Sequence, residues 1–223
     1  MIVAIDGTTG SGKSGLCKRL SSLLGFYYIR TGSFYRAIAY KMLNTNVDKD
    51  NLKQIKLMLK QTKVSCKFEN DHMTVLLDGE DVGKYINSPE VSSFVSKISP
   101  IIEIREYVTK IQRQSAKEYD NIIMEGRDIG SVIFPKADIK IFIDCDIDVR
   151  AQRRVKQYEK NGITLSQAEA KQAILERDKD DYTRKNSPLV RLPEAFYLDT
   201  SNYTMDECVE IVANLIKAKQ NKK

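Results

Sequence analysis

The 223-residue chain is poor in the residues that most often carry acid–base, thiol or metal chemistry. Its single histidine, His72, follows Asn70 and Asp71 in a predicted turn, so we expect a surface residue and no histidine-based catalysis. The four cysteines are scattered, with no C-x-x-C pair and no histidine partners. Neither a zinc site nor a disulfide framework is therefore expected, and the cysteine usage is typical of the reducing cytoplasm.

Long apolar runs are lacking as well. No run approaches membrane-spanning length, and the start of the chain is too polar and too glycine-rich for a signal peptide. We therefore expect no membrane partner. The sequence also has no internal repeat, no low-complexity region and no linker between independent domains, which predicts a single domain over residues 1–223.

Charge of one sign is in modest excess. The chain has 36 basic and 30 acidic residues, a net charge of +6, and part of the excess lies in lysines after residue 216. Most arginines fall near motif-like positions. Small polyanionic substrates explain this distribution at least as well as nucleic acid does, so no nucleic-acid partner is expected.

The clearest pattern that is present lies at the start of the chain. Residues 7–14 read G-T-T-G-S-G-K-S, which fits the phosphate-binding motif G-x-x-x-x-G-K-[ST] at every fixed position. The apolar run before it predicts a buried strand. The leucines after it predict the buried stripe of a helix: Leu16, Leu20, Leu23 and Leu24. The alternative is a flexible glycine-rich turn, but strand, loop and helix together favour a phosphate loop.

The chemistry of such a loop follows from its residue types. Glycines let backbone N–H groups surround an anion, and the helix N-terminus adds partial positive charge. Lys13 can reach the outer phosphates, and the Ser14 hydroxyl can coordinate Mg²⁺. The predicted ATP-binding residues are Gly7, Thr8, Thr9, Gly10, Ser11, Gly12, Lys13, Ser14 and Gly15.

Strand and helix patterns alternate along the rest of the chain, which predicts an α/β fold. The predicted core strands after the first are 26–29, 121–125, 139–143 and 196–199. Three short alternating runs interrupt this rhythm and predict an insert of strands at 64–68, 74–77 and 82–86. Helices are predicted after residue 32 to about 44, within 46–63, near 91–96, from about 100 to 116, before 162, and over 166–182 and 205–216.

Three features place candidate site residues around the loop. Thr31 and Arg36 follow the second strand, at the sheet edge where α/β folds bind ligands. Glu125 ends a buried strand and supplies the carboxylate that a phosphate-loop protein needs to hold Mg²⁺ or its water. The two charged helices beyond residue 146 are rich in arginine, which favours a mobile lid over a solvated surface. We expect the arginines of such a lid to be exposed and mobile when no ligand is bound.

Short motifs also lie along the whole chain: TGSFYR (31–36), LDGEDV (77–82), SKIS (96–99), IRE (104–106), EGRDIG (125–130), FP (134–135), RRVKQ (153–157), ERD (176–178) with Asp181 and Arg184, PL (188–189) and LDTS (198–201). With these segments the chain resembles the bacterial-type cytidylate kinases, a family of phosphate-loop nucleoside monophosphate kinases. The phosphate loop alone would name only a superfamily, whereas the glycine-arginine-aspartate segment and the lid together are specific.

The resemblance implies a three-layer α/β fold with a five-stranded parallel sheet, a small antiparallel three-strand insert and a helical lid. It implies a monophosphate-binding region over 31–118, with the insert at 63–88, and a lid at 148–186. The implied reaction transfers the γ-phosphoryl group of ATP to CMP or dCMP, with Mg²⁺ as cofactor. The implied protein is a cytoplasmic monomer.

The resemblance also assigns roles to individual residues. The acceptor nucleotide would be bound by Thr31, Arg36, Ser96, Arg105, Arg127, Asp128, Asp181 and Arg184. In this set Arg36 and Arg127 grip the phosphate, Asp181 and Arg184 hold the sugar side, and Ser96, Arg105 and Asp128 read the cytosine. The catalytic set is Lys13, Arg127, Arg153, Arg154 and Arg177, and the metal would be held by Ser14 and Glu125.

The chain departs from the family pattern at a few positions. Thr8 and Thr9 replace the usual proline and alanine, and Gly15 replaces a serine or threonine. Arg30 stands where an aspartate is usual, which leaves Glu125 the better candidate for the metal. Two alternatives stay open: a kinase for UMP or AMP on the same fold, and a nucleotide-dependent switch or nucleic-acid-binding ATPase.

Overall fold

The structure is a computed structural model and describes residues 1–69, 72–160 and 162–221. The predicted turn at 70–71 lies outside the described residues. The strands are β1 (Ile2–Gly7), β2 (Tyr27–Arg30), β3 (Val64–Glu69), β4 (His72–Leu77), β5 (Glu80–Asp81), β6 (Ile122–Gly126), β7 (Ile139–Asp144) and β8 (Phe196–Asp199). The helices are α1 (Lys13–Leu24), α2 (Thr31–Asn44), α3 (Leu52–Lys60), α4 (Pro89–Ile98), α5 (Ile102–Glu118), α6 (Ile147–Glu159), α7 (Gln167–Thr183) and α8 (Met205–Gln220), with a short π-helix at Ile129–Ile133.

The larger sheet has five strands in the order β2-β6-β1-β7-β8. β1 runs parallel to β7 with Val3 opposite Ile139, and β7 runs parallel to β8 with Ile141 opposite Phe196. The apolar residues 3–5 in the middle of β1 are at most 1% exposed, as expected for a strand covered on both faces. The predicted five-stranded parallel sheet is confirmed.

The smaller sheet is the predicted three-strand insert, with the order β3-β4-β5 and antiparallel pairing. His72 is exposed, as expected, but it begins β4 and pairs with Glu69. The predicted strand at 82–86 is wrong, because those residues form turns in which the N–H groups of Tyr85 and Ile86 donate to the carbonyl of Val82.

The reason for this error is the hairpin before it. Asp78 and Gly79 both have positive φ, 53° and 94°, so a two-residue turn returns the chain at once to pair as Glu80–Asp81. The buried residues Val82 and Ile86 are spaced four apart, which suits a helical turn as well as a strand.

The predicted helices are present, with two local differences. α3 is shorter than predicted because the Asn51 side chain accepts a hydrogen bond from the N–H of Gln54 at 3.1 Å and sets its start. On α1, Leu16 and Leu20 are buried as predicted, but Leu23 is 57% exposed. The buried side of α1 includes Cys17 and Ser21 together with Leu16 and Leu20, so Leu23 lies outside it.

The chain divides into two compact units. The first comprises Met1–Phe26 and Ile123–Lys223, and the second comprises Tyr27–Ile122. The predicted region 31–118 falls within the second unit and the predicted lid 148–186 within the first; both functional assignments stay predictions. Across the described residues, no helix is both long and apolar enough to cross a membrane.

The helix α7 begins as the sequence predicts and buries an unusual stripe. Ser166 and Glu169 form a capping box at its start, with the Ser166 hydroxyl accepting from the N–H of Glu169. Its buried residues begin as apolar and end as charged: Ala170, Ile174, Asp178 and Asp181. The buried aspartates require partners, and these partners form the site described next.

Candidate active site

The phosphate loop connects β1 to α1 and depends on glycine at two positions. A Cβ at Gly7 would collide with the carbonyl of Ile143 on β7, so only glycine allows the close approach. Gly12 has φ 93° and stands just before α1. The chain therefore forms the strand, loop and helix that the motif predicts.

Lys13 lies inside this loop, as predicted. Its Nζ is 2.5 Å from the carbonyl oxygen of Thr8, 2.9 Å from that of Gly7 and 3.4 Å from the Oγ of Ser11. Burial, and secondarily the charge of Arg127, lowers the pKa of Lys13 to about 7. An anion at the loop favours the protonated ammonium, so phosphate binding and the charge of Lys13 are coupled.

The two predicted metal ligands lie together. The Oγ of Ser14, in the first turn of α1, is 2.6 Å from the Oε1 of Glu125 near the end of β6. Both offer oxygen, which is the donor that Mg²⁺ prefers. In the described part of the chain no group of three or more His, Cys, Asp or Glu could hold a metal. A hydroxyl and a carboxylate suit an ion that takes its other ligands from phosphate and water.

Arg127 is held at three of its nitrogens on the loop after β6. Its Nε donates to the Oδ2 of Asp181 at 2.7 Å, its Nη1 to the carbonyl of Gly126 at 3.2 Å, and its Nη2 to the Oγ1 of Thr9 at 3.0 Å. This predicted phosphate-gripping arginine therefore touches the phosphate loop.

Asp181 joins several predicted residues into one cluster. Besides Arg127, it lies 3.5 Å from the Nε of Arg177 and 3.3 Å from the Nη1 of Arg184. Burial opposes ionisation of this carboxyl, but the three guanidinium groups outweigh it and lower the pKa of Asp181. The Nη2 of Arg184 is also 3.8 Å from the Oδ1 of Asp128, which is buried. The sugar-side and base-reading candidates of this unit therefore lie side by side.

In the second unit, Thr31 and Arg36 belong to α2. Thr31 is its first residue and is buried. The Nη1 of Arg36 donates to the carbonyl of Ile86 at 3.0 Å and to the Oγ of Ser92 on α4 at 2.7 Å. These contacts fix the guanidinium between α2 and the segment from 86 to 92.

The other two predicted residues of the second unit lie on α4 and α5. Ser96 is exposed, and its hydroxyl donates to the carbonyl of Ser93 at 3.1 Å. Arg105 is buried, donates to the carbonyl of Ser99 at 3.1 Å and lies 5.8 Å from the centre of the Tyr35 ring. Both stay candidates for reading a base.

The three predicted lid arginines are half-buried, so the expectation that they are exposed is wrong. Arg153 donates from Nη2 to the carbonyl of Thr200 at 2.8 Å, and the Thr200 hydroxyl in turn donates to the carbonyl of Ser11 in the phosphate loop at 3.1 Å. Arg177 is part of the Asp181 cluster, whereas the guanidinium of Arg154 lies 5.3 Å from the ring of Tyr158 on its own helix.

Sequence reasoning gave no role to three buried ionisable residues of the first unit: Asp6, Arg150 and Asp178. Arg150 and Asp178 form an ion pair between α6 and α7. Asp6 accepts from the N–H groups of Ile129 and Gly130 at 2.8 and 2.7 Å, and burial raises its pKa to about 6. For Asp6, the sequence offered one sign of a role: its carboxylate comes at the end of an apolar strand.

The departures from the family pattern also have structural counterparts. Thr8 donates from its hydroxyl to the Oδ1 of Asp144 at 2.8 Å, and the Thr9 hydroxyl accepts from Arg127. A Cβ at Gly15 would lie 3.2 Å from the Cε of Met205 at the start of α8, so a larger residue requires that side chain to move. Arg30 is exposed and precedes α2.

Solved structures of other proteins share this fold. A solved structure of an uncharacterized protein from Eubacterium ventriosum is similar in fold, with a TM-score of 0.55 at 14% identity over 98% of each chain. A structure from Thermus thermophilus has a TM-score of 0.51 at 14% identity, over 98% of this chain and 97% of that one.

The sequence comparisons are more specific. The cytidylate kinase of Caldicellulosiruptor saccharolyticus is 38% identical over 96% of this chain and 94% of its own length. That of Mycoplasma capricolum is 38% identical over 100% of this chain and 99% of its own length. The family model described as cytidylate kinase matches residues 3–218. A match over nearly the whole chain, together with a phosphate loop in contact with the arginine of the EGRDIG segment, shows that the chain belongs to the cytidylate kinase family.

Proposed function

We propose that the protein transfers the γ-phosphoryl group of ATP to CMP or dCMP, producing ADP and CDP or dCDP. The observation that carries this proposal is the 3.0 Å contact between the Nη2 of Arg127 and the Oγ1 of Thr9. It joins the loop expected to hold the ATP phosphates to the arginine expected to hold the acceptor phosphate. Reacting groups must lie in line and close together for phosphoryl transfer.

The residue set suits this reaction. Phosphoryl transfer needs little covalent chemistry from the protein, so fixed positive charge and positioning supply most of the catalysis. Lys13 and Arg127 provide that charge, and Arg153 and Arg177 add to it from α6 and α7. Arg154, which lies against Tyr158, would have to leave that ring to reach a phosphate.

Ser14 and Glu125 would hold Mg²⁺ in this proposal. The bound ion would neutralise part of the phosphate charge. The Ser14 hydroxyl is placed by the first turn of α1 and the Glu125 carboxylate by β6, so both oxygens are fixed by regular structure. Calorimetric titration of Mg²⁺ with an ATP analogue would test the assignment, because Glu125→Gln should weaken metal binding more than Glu118→Gln, an exposed control.

Each unit carries residues that we assign to the acceptor nucleotide. On the first unit, Arg127 would bind its phosphate, Asp181 and Arg184 its sugar side, and Asp128 the amino group of cytosine. On the second unit, Thr31 and Arg36 would meet the phosphate side, and Ser96 and Arg105 the base. Cytosine offers an amino donor and ring acceptors, which match a carboxylate and a guanidinium.

The lid function of residues 148–186 is part of the same proposal. Closing this segment over the phosphates would exclude water from the γ-phosphoryl group. We expect amide hydrogen exchange over this segment to slow when CMP and a non-hydrolysable ATP analogue are added together. Unchanged exchange there, with protection at the phosphate loop, would contradict the lid.

We also propose that the protein acts as a cytoplasmic monomer, with nucleotides rather than nucleic acid or membranes as partners. Its four cysteines are free and buried, as suits a reducing compartment. Light scattering should give the mass of one chain, 25.4 kDa. A dimer mass at micromolar concentration would contradict the monomer.

The experiment that tests the proposed reaction is a steady-state screen of ATP against CMP, dCMP, UMP and AMP. We expect the highest kcat/KM for CMP or dCMP. A higher value for UMP or AMP would favour the related kinase on the same fold. ATP hydrolysis without transfer to any monophosphate would favour a nucleotide switch.

A further inference from the structure

The hydroxyl group of Thr9 connects the phosphate loop to Arg127, the arginine proposed to bind the acceptor phosphate. All three polar groups of Thr9 have partners. Its backbone N–H donates to the Oδ1 of Asp178 at 2.8 Å, and its carbonyl accepts from the Nη1 of Arg150 at 3.0 Å. Its Oγ1 accepts from the Nη2 of Arg127 at 3.0 Å.

The two backbone contacts hold the main chain of Thr9 in place. Asp178 and Arg150 are each 7% exposed and are also paired with each other. A buried ion pair whose atoms are engaged elsewhere has few other arrangements to adopt. Threonine is also branched at Cβ, which restricts χ1. The position of the Thr9 hydroxyl is therefore set by the buried pair behind it.

The Thr9 hydroxyl is in turn one of three groups that orient the guanidinium of Arg127. A guanidinium has five N–H groups, and the contacts to Asp181, Gly126 and Thr9 engage Nε, Nη1 and Nη2 in that order. Two N–H groups remain for an oxyanion. Bidentate recognition of phosphate depends on the plane of the guanidinium, and Thr9 holds its Nη2 corner.

We propose that Thr9 is a positioning residue, whose hydroxyl orients Arg127 toward the acceptor phosphate. This inference rests on the proposed function, and specifically on the role of Arg127. It gives a purpose to a departure in the sequence, because an alanine at this position has no hydroxyl and could not make the contact. The predicted consequence is a loss in acceptor binding much larger than any loss in ATP binding, because removing the hydroxyl leaves the loop backbone, which would contact the ATP phosphates, unchanged.

The first test compares Thr9→Val with Thr9→Ser in steady-state assays with ATP and CMP. Valine keeps the branched shape and removes the hydroxyl, whereas serine keeps the hydroxyl. We expect Thr9→Val to raise the KM for CMP about tenfold, since one hydrogen bond to a charged group is lost. The KM for ATP should stay within about twofold of the wild-type value. In Thr9→Ser, the KM for CMP should stay close to the wild-type value, because serine keeps the hydroxyl. Equal KM values for CMP in the two variants, or equal rises for both substrates, would overturn the inference.

The second test asks whether Thr9 acts through Arg127. Lysine keeps the charge of Arg127 but cannot make the same three contacts. In an Arg127→Lys background, adding Thr9→Val should therefore raise the KM for CMP no further. Thr8→Val is the matched control, because the Thr8 hydroxyl donates to Asp144 and not to Arg127. The fold-change that Thr8→Val causes in the KM for CMP should be the same with and without Arg127→Lys. If the fold-change caused by Thr9→Val is also the same in both backgrounds, the inference is overturned.

The failure of this inference is distinguishable from the failure of the proposed function. If wild-type protein does not phosphorylate CMP, or if Arg127→Lys leaves the KM for CMP unchanged, the proposed role of Arg127 fails and Thr9 has nothing to orient. If Arg127→Lys raises that KM but shows no coupling to Thr9→Val, only the role of Thr9 is wrong. Thermal unfolding of each variant, expected within a few degrees of wild type, shows that the comparison is made on folded protein.

Discussion

At the phosphate loop, burial moves two ionisable groups toward their uncharged forms, whereas at the last turns of α7 an equally buried carboxyl moves the other way. The pKa of Lys13 is lowered to about 7 and that of Asp6 is raised to about 6, and burial is the largest cause in both. The pKa of Asp181 is lowered despite burial, because Arg127, Arg177 and Arg184 surround it. Depth alone therefore does not decide which form is favoured; opposite charges at close range do.

This difference matches what each region would do. In a loop that binds phosphates, the lysine can be partly uncharged when the loop is empty. It is expected to become fully protonated when an anion binds. A cluster that orients arginines must keep its carboxylate ionised at all times. Four variants break or sharpen the comparison, from the largest expected effect to the smallest.

Lys13→Ala should have the largest effect on activity. Removing the positive charge that Lys13 would place beside the transferred phosphoryl group is expected to lower kcat by about 10²- to 10³-fold. The melting temperature should stay the same or rise, because the substitution removes a costly buried ammonium. Lys18→Ala, on the exposed side of α1, is the matched control. Near-normal turnover of Lys13→Ala would show that Lys13 is not the phosphate lysine.

Asp181→Asn should have the largest effect on stability. It leaves three arginines beside a neutral amide, and we expect the free energy of unfolding in urea to fall by about 2–4 kcal/mol. Because the folded pKa of Asp181 is lowered, its contribution is present above the ordinary carboxyl range and is lost on acidification. Asp180→Asn, an exposed neighbour on α7, should change stability by less than about 0.5 kcal/mol. Equal losses for the two variants would refute the cluster.

Asp6→Asn tests the opposite sign at the loop. The folded pKa of about 6, above the ordinary 3.8, means that Asp6 favours folding below pH 3.8 and that this contribution is lost as the pH rises through 6. The loss amounts to roughly 3 kcal/mol. The difference in free energy of unfolding between wild type and Asp6→Asn should therefore change between pH 4 and 6. A constant difference over that range would exclude the raised pKa.

Asp128→Ala should have the smallest effect, seen mainly as a reduced preference for CMP over UMP. Asp128 lies beside Arg184 in the cluster, and its carboxylate would accept the cytosine amino group but would face the carbonyl of uracil. We expect kcat/KM for CMP to fall about 10- to 100-fold more than that for UMP. Equal losses on both substrates would mean that Asp128 supports the loop and does not read the base.

Sequence reasoning succeeded where the determinants are local. The phosphate loop is specified by eight consecutive residues, 7–14, and the start of α7 by the Ser166 and Glu169 pair three residues apart. The contact between Ser14 and Glu125 spans 111 positions, yet each residue was a candidate on local grounds. Ser14 is the last position of the phosphate-loop motif, and Glu125 comes near the end of a buried strand.

Sequence reasoning failed where distant residues decide a side chain's surroundings. Asp6 meets the N–H groups of Ile129 and Gly130, more than 120 positions away, and no periodicity reports such a contact. Arg150 was one of several arginines on a helix assigned to the lid and had no role of its own, but it is buried and forms an ion pair with Asp178. The strand predicted at 82–86 failed because spacing alone does not distinguish a turn from a short strand.

The π-helix at Ile129–Ile133 bears on how this chain can change in length. A π-helical turn contains one residue more than an α-helical turn, and here the N–H groups of Ile133 and Phe134 each donate to a carbonyl five residues earlier. The contacts to Asp6 come from its first two residues. We expect that deleting one residue after Gly130 would convert the turn to ordinary helical geometry and leave those two contacts and the register of β7 unchanged. A one-residue gap in an alignment is therefore structurally inexpensive at this point of the chain.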